Sequence, residues 1–268
     1  PMPSGFQLAQ HQATAYDSFT RVFMEGSAQL LAEGARIRPG DVVLDLACGT
    51  GLVARHAVPL VVPNGRLVGA DINPAMLERA RASVDASVEW VQSPADDLLF
   101  DDDTFTHVIC QQGLQFFPDP DAAMREVLRV LQPAGVAITT VWATPGHNPY
   151  IENQLDLLAD LDASLVASVR RATPAHADDF LRSTAQAAGF HDIEITMLEH
   201  HVDIADFGPW FLAQTAGTPW GPTLAALTDA ARQELASTMT DRIQPCARPD
   251  GGHRIPFRSY RLEAHAPR

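Results

Sequence analysis

Hydrophobic positions in the first half of the chain fall into short β-branched runs separated by stretches of helical spacing. Strands are predicted at Val42–Ala47, Arg66–Asp71, Val88–Gln92, Phe105–Gln111 and Gly135–Trp142. The helices between them carry explicit start signals. Asn73-Pro74 reads as an N-cap followed by proline at the first helical position, opening a helix over Pro74–Val84. Asp119-Pro120 repeats the device ahead of Ala123, Val127 and Leu131, which share one face at i, i+4, i+8. Strand–helix alternation at this spacing implies a mostly parallel open sheet covered by helices on both faces.

Beyond Trp142 the texture changes. Helical stretches at Tyr150–Arg171 and Asp178–Ala188 lead to Gly189, a helix stop. Alternating strands follow at Ile193–Ile204 and Ile255–His265. Between them lies a segment, Ala205 to Arg254, with a helical pattern around Leu224–Ile243. Two late strands joined by so long a connection suggest a hairpin at the sheet edge with an inserted helical cap. The expected organisation is one structural domain: an N-terminal helical lid (1–40), a core (41–204 and 255–268) and the cap (205–254).

Composition narrows the chemistry. The 268 residues are 46% hydrophobic and 19% charged, enough apolar material for one sizeable core. The net charge is −14, and all 19 basic residues are arginine. The absence of lysine removes Schiff-base chemistry, P-loop phosphate binding and any catalytic lysine. An acidic chain with no basic stripe is not expected to bind nucleic acid. Cys48, Cys110 and Cys246 lie far apart and form no ligand spacing, and three adjacent carboxylates at Asp101–Asp103 cannot converge on one ion, so no metal site is expected. No apolar run is long enough to cross a membrane, and the first residues lack the pattern of a signal peptide, so a cytoplasmic protein without membrane insertion is expected.

The most informative run is Val42-Val43-Leu44-Asp45-Leu46-Ala47-Cys48-Gly49-Thr50-Gly51-Leu52. A buried strand ends in a Gly-x-Gly turn that opens a helix. Such a turn lets backbone approach a ligand closely, and the helix start offers free N–H groups. Twenty residues beyond Gly51 the second strand ends in Asp71, an acceptor for ribose hydroxyls. A nicotinamide dinucleotide would set its pyrophosphate against Asp45, whereas S-adenosylmethionine brings a sulfonium and an ammonium that suit an acidic strand end. Asp45 also has a purely structural reading, as a carboxylate bonded to nearby backbone N–H groups. Short-chain dehydrogenases need a Tyr/Lys pair, which a lysine-free chain cannot supply.

On these motifs the sequence resembles the class I S-adenosylmethionine-dependent methyltransferases, in the small-molecule branch that holds the ubiquinone/menaquinone-type enzymes. The resemblance runs from Gly40 to about Trp142 and more loosely over the helix ending at Gly189 and the last two strands. It implies a Rossmann-like seven-stranded sheet with an antiparallel last strand, and S-adenosylmethionine as cofactor. It implies that the turn at Ala47, Gly49 and Gly51 contacts the methionine moiety. Asp71 would hold both ribose hydroxyls, Ile72 would pack on adenine, and the Ala95 N–H with the Asp96 side chain would address the base edge. In that loop Pro94 stands where the family often has an acidic residue. Gln111, at the end of the fourth strand, would face the methionine arm, and Tyr16 would belong to a lid over the cofactor.

The acceptor side is read from position alone. Gln112 and Gln115 follow the fourth strand, Trp142 ends the fifth, and Trp210 lies in the cap; these four are candidate acceptor contacts. His147, in the loop after the fifth strand, is the candidate general base, and it also reads as an exposed loop histidine. The expected activity is methyl transfer to a small apolar or aromatic molecule by a monomer or homodimer. Two alternatives stay open: a cofactor-bound enzyme of cyclase type that transfers no methyl group, and a nicotinamide oxidoreductase.

Overall fold

Seven strands lie in one sheet in the order β3-β2-β1-β4-β5-β7-β6. The computed structural model describes residues 10–268 except 85, 86, 160, 164, 165, 168, 169, 171, 172, 217 and 219; within 10–20, Asp17 is the one residue whose side chain is described. The strands are β1 (Val42–Leu46), β2 (Arg66–Asp71), β3 (Glu89–Gln92), β4 (Phe105–Gln111), β5 (Leu131–Trp142), β6 (His191–Ile204) and β7 (His253–His265). The first five run parallel, and β7 is antiparallel to both β5 and β6. Strand order reverses at β1, between β2 and β4, which opens a crevice at the carboxyl ends of β1 and β4.

The helices are α1 (Gln10–Gly34), α2 (Leu52–Val61), α3 (Pro74–Ser83), α4 (Pro120–Val130), α5 (Pro149–Leu158), α6 (Ala177–Ala188), α7 (Phe207–Ala216), α8 (Gly221–Ala225) and α9 (Asp229–Arg242). The two predicted Asx-Pro starts form as expected. Asn73 Oδ1 accepts from Ala75 N at 2.9 Å and Asp119 Oδ1 from Ala122 N at 2.8 Å, and each satisfies a donor that the helix start leaves open. Gly189 closes α6 at φ 101°.

Each face of the sheet buries its own core. On one face α1 and α2 pack Phe23, Leu31, Val53 and Ala57 against Val43, Ile109 and Ile138. The cap contributes Phe207, Phe211 and Met239 to this same core. On the other face α4 and α6 place Met124, Val127, Leu181 and Ala185 against Leu44, Val108 and Leu262.

Three departures from the sequence pattern have local causes. Strand β5 begins at Leu131, not Gly135, because Leu131 pairs with Phe105 before a register shift brings Val136 opposite His107. The single helix read around Leu224–Ile243 is two helices, since Thr228 accepts from Ala231 N at 3.2 Å and starts α9 afresh. Helix α7 starts right after β6, where Gly208 and Pro209 obscured the helical pattern. The helix ends at Leu158, and in its predicted continuation to Arg171 residues 160, 164, 165, 168, 169 and 171 lie outside the described residues.

The chain turns from β1 into α2 through Gly51 at φ 82°, and a Cβ there would stand 2.7 Å from the Trp90 ring and 2.8 Å from Val84. Both the left-handed backbone and the packing demand glycine. Gly51→Ala is expected to lower unfolding free energy by at least about 2 kcal/mol, measured by urea titration.

Candidate functional site

A cleft of about 1220 Å³, counted out to its open mouth, lies at the carboxyl ends of β1, β2 and β4. Its floor is the turn from β1 into α2. Ala47 and Gly49 both sit at φ 54°, and Gly51 N donates to Cys48 O at 2.9 Å to close the turn. A Cβ added at Gly49 would meet nothing within 4 Å. It would point into open space, where the close backbone approach of a ligand is otherwise possible.

Asp71, at the end of β2, joins this turn to the next one. Its Oδ2 accepts from Gly49 N at 2.8 Å and its Oδ1 from Asn73 N at 2.8 Å. Burial pushes its carboxyl above the ordinary range, while these backbone donors pull it back down. Asp71 lines the cleft, and a carboxylate has more lone pairs than these donors use, which leaves acceptor capacity for a hydroxyl. Ile72 and Met76 extend this wall, and the loop Ser93-Pro94-Ala95-Asp96 faces it, with Ala95 half-buried and Asp96 exposed.

The other end of the cleft is formed after β4. Gln111 Nε2 donates to Ser27 Oγ of α1 at 2.8 Å, and the Ser27 hydroxyl donates to Met24 O at 2.9 Å. Gln112 takes a left-handed φ of 55°. Its Nε2 donates to Ser259 Oγ on β7 at 2.8 Å, and its Oε1 accepts from Gln115 Nε2 at 2.8 Å. Met24, Leu52, Phe116 and Phe117 supply the apolar surface there.

Of the residues singled out in the sequence, Ala47, Gly49, Asp71, Ile72, Ala95, Asp96, Gln111 and Gln112 meet in this one cleft. Gln115 stands one bond behind Gln112, with its Oε1 buried and unpartnered. Gly51 turns away from the cleft toward Trp90. The side chain of Tyr16 lies outside the described residues.

Four further candidates do not reach the cleft wall. Asp45 is 1% exposed beneath the turn, where its Oδ2 accepts from Ala54 N at 3.0 Å. Its geometry fits the structural reading, a carboxylate that satisfies the start of α2. Trp142 is buried against Phe23 and Phe257. Trp210 packs edge-on to Tyr150 at 5.4 Å. His147 is exposed: the turn at Pro145–His147 directs its ring to Thr144 Oγ1 at 2.8 Å and to the Tyr260 ring at 6.3 Å. It is a solvent-facing loop histidine, not a base beside the cleft.

Sequence reading missed Met24, Thr50, Ser27 and Ser259, all close to the ligand space. The first, third and fourth reach it through α1 and β7, whose docking on the site no local pattern announces. Thr50 was visible between its glycines but carried no chemical signature.

The donor set decides which cofactor fits. No arginine lines the cleft among the described residues, while the carboxylates of Asp71 and Asp96 do. A pyrophosphate finds no counter-charge here, whereas a nucleoside with hydroxyls and a cationic arm does. Among the described residues no cluster could hold a metal ion, and no helix is long and apolar enough to cross a membrane.

Comparison with known proteins agrees with this geometry. Residues 43–135 match the family model described as a methyltransferase domain. A demethylmenaquinone methyltransferase of Clavibacter sepedonicus is 33% identical over 199 residues, covering 68% of this chain and 80% of that protein. The ubiquinone/menaquinone biosynthesis C-methyltransferase UbiE of Ectopseudomonas mendocina is 35% identical over 153 residues, 54% of this chain and 59% of that protein. Among solved structures, a putative methyltransferase from Bacillus halodurans superposes with a TM-score of 0.60 at 24% identity, covering 91% of this chain and all of that one, and supports the fold.

Burial, first, and the Asp71 charge together push the Asp45 carboxyl up to about 8, against the backbone donor of Ala54. Between the unfolded value near ~4 and about 8, the folded protein holds a proton that the unfolded chain has lost. The contribution of this group to stability therefore falls as pH rises through that window and stays low above it. Asp45→Asn keeps an acceptor for Ala54 N, so the variant should lose that decline, seen as a flatter Tm profile between about pH 4 and about 8.

Proposed function

The chain belongs to the class I S-adenosylmethionine-dependent methyltransferases of the quinone-methyltransferase type, and from that membership we propose how its cleft divides the work. The cofactor lies across the glycine turn. Asp71 accepts from its ribose hydroxyls, Ile72 covers one side of the adenine, and the Ala95–Asp96 loop meets the base edge. The backbone at Ala47–Gly49 and the amide of Gln111 hold the methionine arm. The observation that carries this reading is the tie between Asp71 and Gly49 N, which puts a hydroxyl acceptor and an open backbone turn in one cleft.

The methyl acceptor enters beside Met24, Gln112, Phe116 and Phe117. That surface is apolar and aromatic with the neutral amide of Gln112, and it suits a flat aromatic ring bearing oxygen substituents. The names of the relatives point the same way, to a quinone-type ring, and the acceptor in this reading is the reduced, hydroxylated form of such a ring.

S-adenosylmethionine supplies a methyl group already activated by the positive sulfur. What remains for the protein is alignment and the exclusion of water, with the nucleophile held at about 3–3.5 Å and in line. Gln112 is suited to this task because Ser259 and Gln115 fix both ends of its amide. Among the described residues lining the acceptor end, none is a histidine or tyrosine. The reading is therefore catalysis by positioning, on an acceptor whose hydroxyl ionises readily enough to supply its own electron density.

Calorimetry should show S-adenosylmethionine and its demethylated product binding to the unaltered protein. Asp71→Ala removes the acceptor of two hydroxyls and should weaken that binding by about 100-fold. Incubation with a reduced demethylated quinone should yield a product heavier by one CH2, read by mass spectrometry. Absence of cofactor binding in the unaltered protein would refute the cleft assignment, and binding without that mass gain would refute the acceptor class.

A further inference from the structure

The loop that leads out of β3 reaches the cleft without a backbone ladder of its own. Ser93, Pro94, Ala95 and Asp96 line the cleft, yet among the described residues 94–100 make no backbone–backbone hydrogen bond. The near end of the loop is set by buried Ser93. Its N–H donates to Asp71 O at 3.1 Å, and its Oγ accepts from Leu99 N at 3.2 Å across the neck of the loop. The far end is apolar, with Leu98 buried and Phe100 edge-on to Phe105 at 5.1 Å. Backbone groups carried inward by such side chains need partners. Here they come from α4.

Arg129 of α4 uses all five of its N–H donors at this loop and its neighbours. Nε and Nη2 grip the two oxygens of Glu126 at 2.8 and 2.7 Å. Nη2 also donates to Leu98 O at 3.0 Å, and Nη1 donates to Phe100 O at 2.8 Å and to Asp102 Oδ1 at 2.7 Å. Glu126 in turn accepts from Leu98 N at 2.8 Å. The hydrogen bond from Arg129, and less strongly that from Leu98 N, holds the Glu126 carboxyl below the ordinary carboxylate range against the effect of burial. An exposed ion pair such as that to Asp102 contributes little by itself. What sets this pair apart is its targets, the N–H and C=O of Leu98 and the C=O of Phe100.

The cleft-facing residues 94–97 therefore span two fixed points. Ser93 is tied to the strand end that carries Asp71, and Leu98 is tied by both backbone groups to one helix. Ala95 and Asp96 lie within that span. We propose that Arg129, together with Glu126, is a positioning residue that sets the selectivity of the cleft for adenine: it fixes the loop that presents the Ala95 N–H and the Asp96 carboxylate to the base. This rests on the reading that the Ala95–Asp96 loop meets the base edge.

The test compares three ligands by calorimetry: S-adenosylhomocysteine, its inosine analogue and 5′-methylthioadenosine. The inosine analogue has a carbonyl in place of the amino group and an N–H in place of the ring acceptor, so it reverses both contacts at the base edge. The unaltered protein should prefer S-adenosylhomocysteine to it by at least about 30-fold. Arg129→Gln should cut that preference by at least about fivefold, while the affinity ratio of S-adenosylhomocysteine to 5′-methylthioadenosine, which reads the methionine arm, stays within about twofold. Arg129→Lys keeps the charge but cannot span both carbonyls, so it should show the same loss and covers the case in which Arg129→Gln does not fold. Asp102→Ala leaves both carbonyls held and should keep the preference. A contact that only stabilises the protein would lower Tm in the Arg129 variants and leave the preference of the folded protein unchanged. A preference within about twofold of the unaltered protein in the Arg129 variants would overturn the proposal, and so would an equal fall in Asp102→Ala. If the unaltered protein did not distinguish the two bases, the assignment of the loop to the base edge would itself fail; a preference that the Arg129 variants keep would remove only the role of Arg129.

Discussion

The bond from Gly49 N to Asp71 is the contact on which the site depends. A turn with three left-handed residues, Ala47, Gly49 and Gly51, has high conformational freedom before folding and few side chains to hold it afterwards. Asp71 resolves this by accepting from Gly49 with one oxygen and from Asn73 with the other, so the start of α2 and the start of α3 are set relative to each other by a single carboxylate. The sheet supplies the span: β1 and β2 pair in parallel, with Leu46 opposite Ala70, which brings both strand ends to one edge. Without that register the carboxylate would have no turn to hold.

The charge of the chain acquires a local meaning from this arrangement. Burial raises the energy of the ionised form of both Asp45 and Asp71, and at Asp45 the Asp71 charge adds to the effect. Of the two, Asp71 lines the cleft, whereas Asp45 lies beneath the turn against the start of α2. With no lysine in the chain and no cleft-lining arginine among the described residues, the charged side chains of the cleft are the carboxylates Asp71 and Asp96.

How much of this was legible in the sequence follows from the range of each interaction. The strands, the two Asx-Pro helix starts and the turn at 47–51 are written in residues adjacent in the chain, and they were readable. Asp71 was readable because its distance from the turn is set by one strand–helix–strand unit. Asp45 was placed correctly on its strand, but whether its carboxylate faces the cleft or the start of α2 depends on a χ angle that no sequence pattern fixes. Trp142, Trp210 and His147 were singled out as chemistry-bearing residues near strand ends or in the cap. Their actual neighbours, Phe257, Tyr150 and Tyr260, come from distant segments. Ser27 and Ser259 were invisible for the same reason, since their partners Gln111 and Gln112 lie 84 and 147 residues away.

The distance between those partners also explains why one sheet can retain the cofactor chemistry while the acceptor changes. In the proposed reading the cofactor half is built from β1, β2 and the turns that follow them, within one short stretch of chain, and the acceptor half is assembled from β4, α1 and β7. The first six residues of β7 run past the end of β5, since Trp142 pairs with Ser259 and nothing of β5 lies opposite Phe257. That overhang carries Phe257 against Phe23 of α1 at 4.4 Å and Tyr150 of α5 at 5.6 Å, and Tyr150 in turn meets Phe207 and Trp210 of the cap. A continuous aromatic contact therefore joins the helix that faces the ligand space to the cap, without passing through the glycine turn. Substitutions along this column should therefore act on the acceptor end through α1, whereas the Asp71–Gly49 tie is made by β2 and the turn after β1.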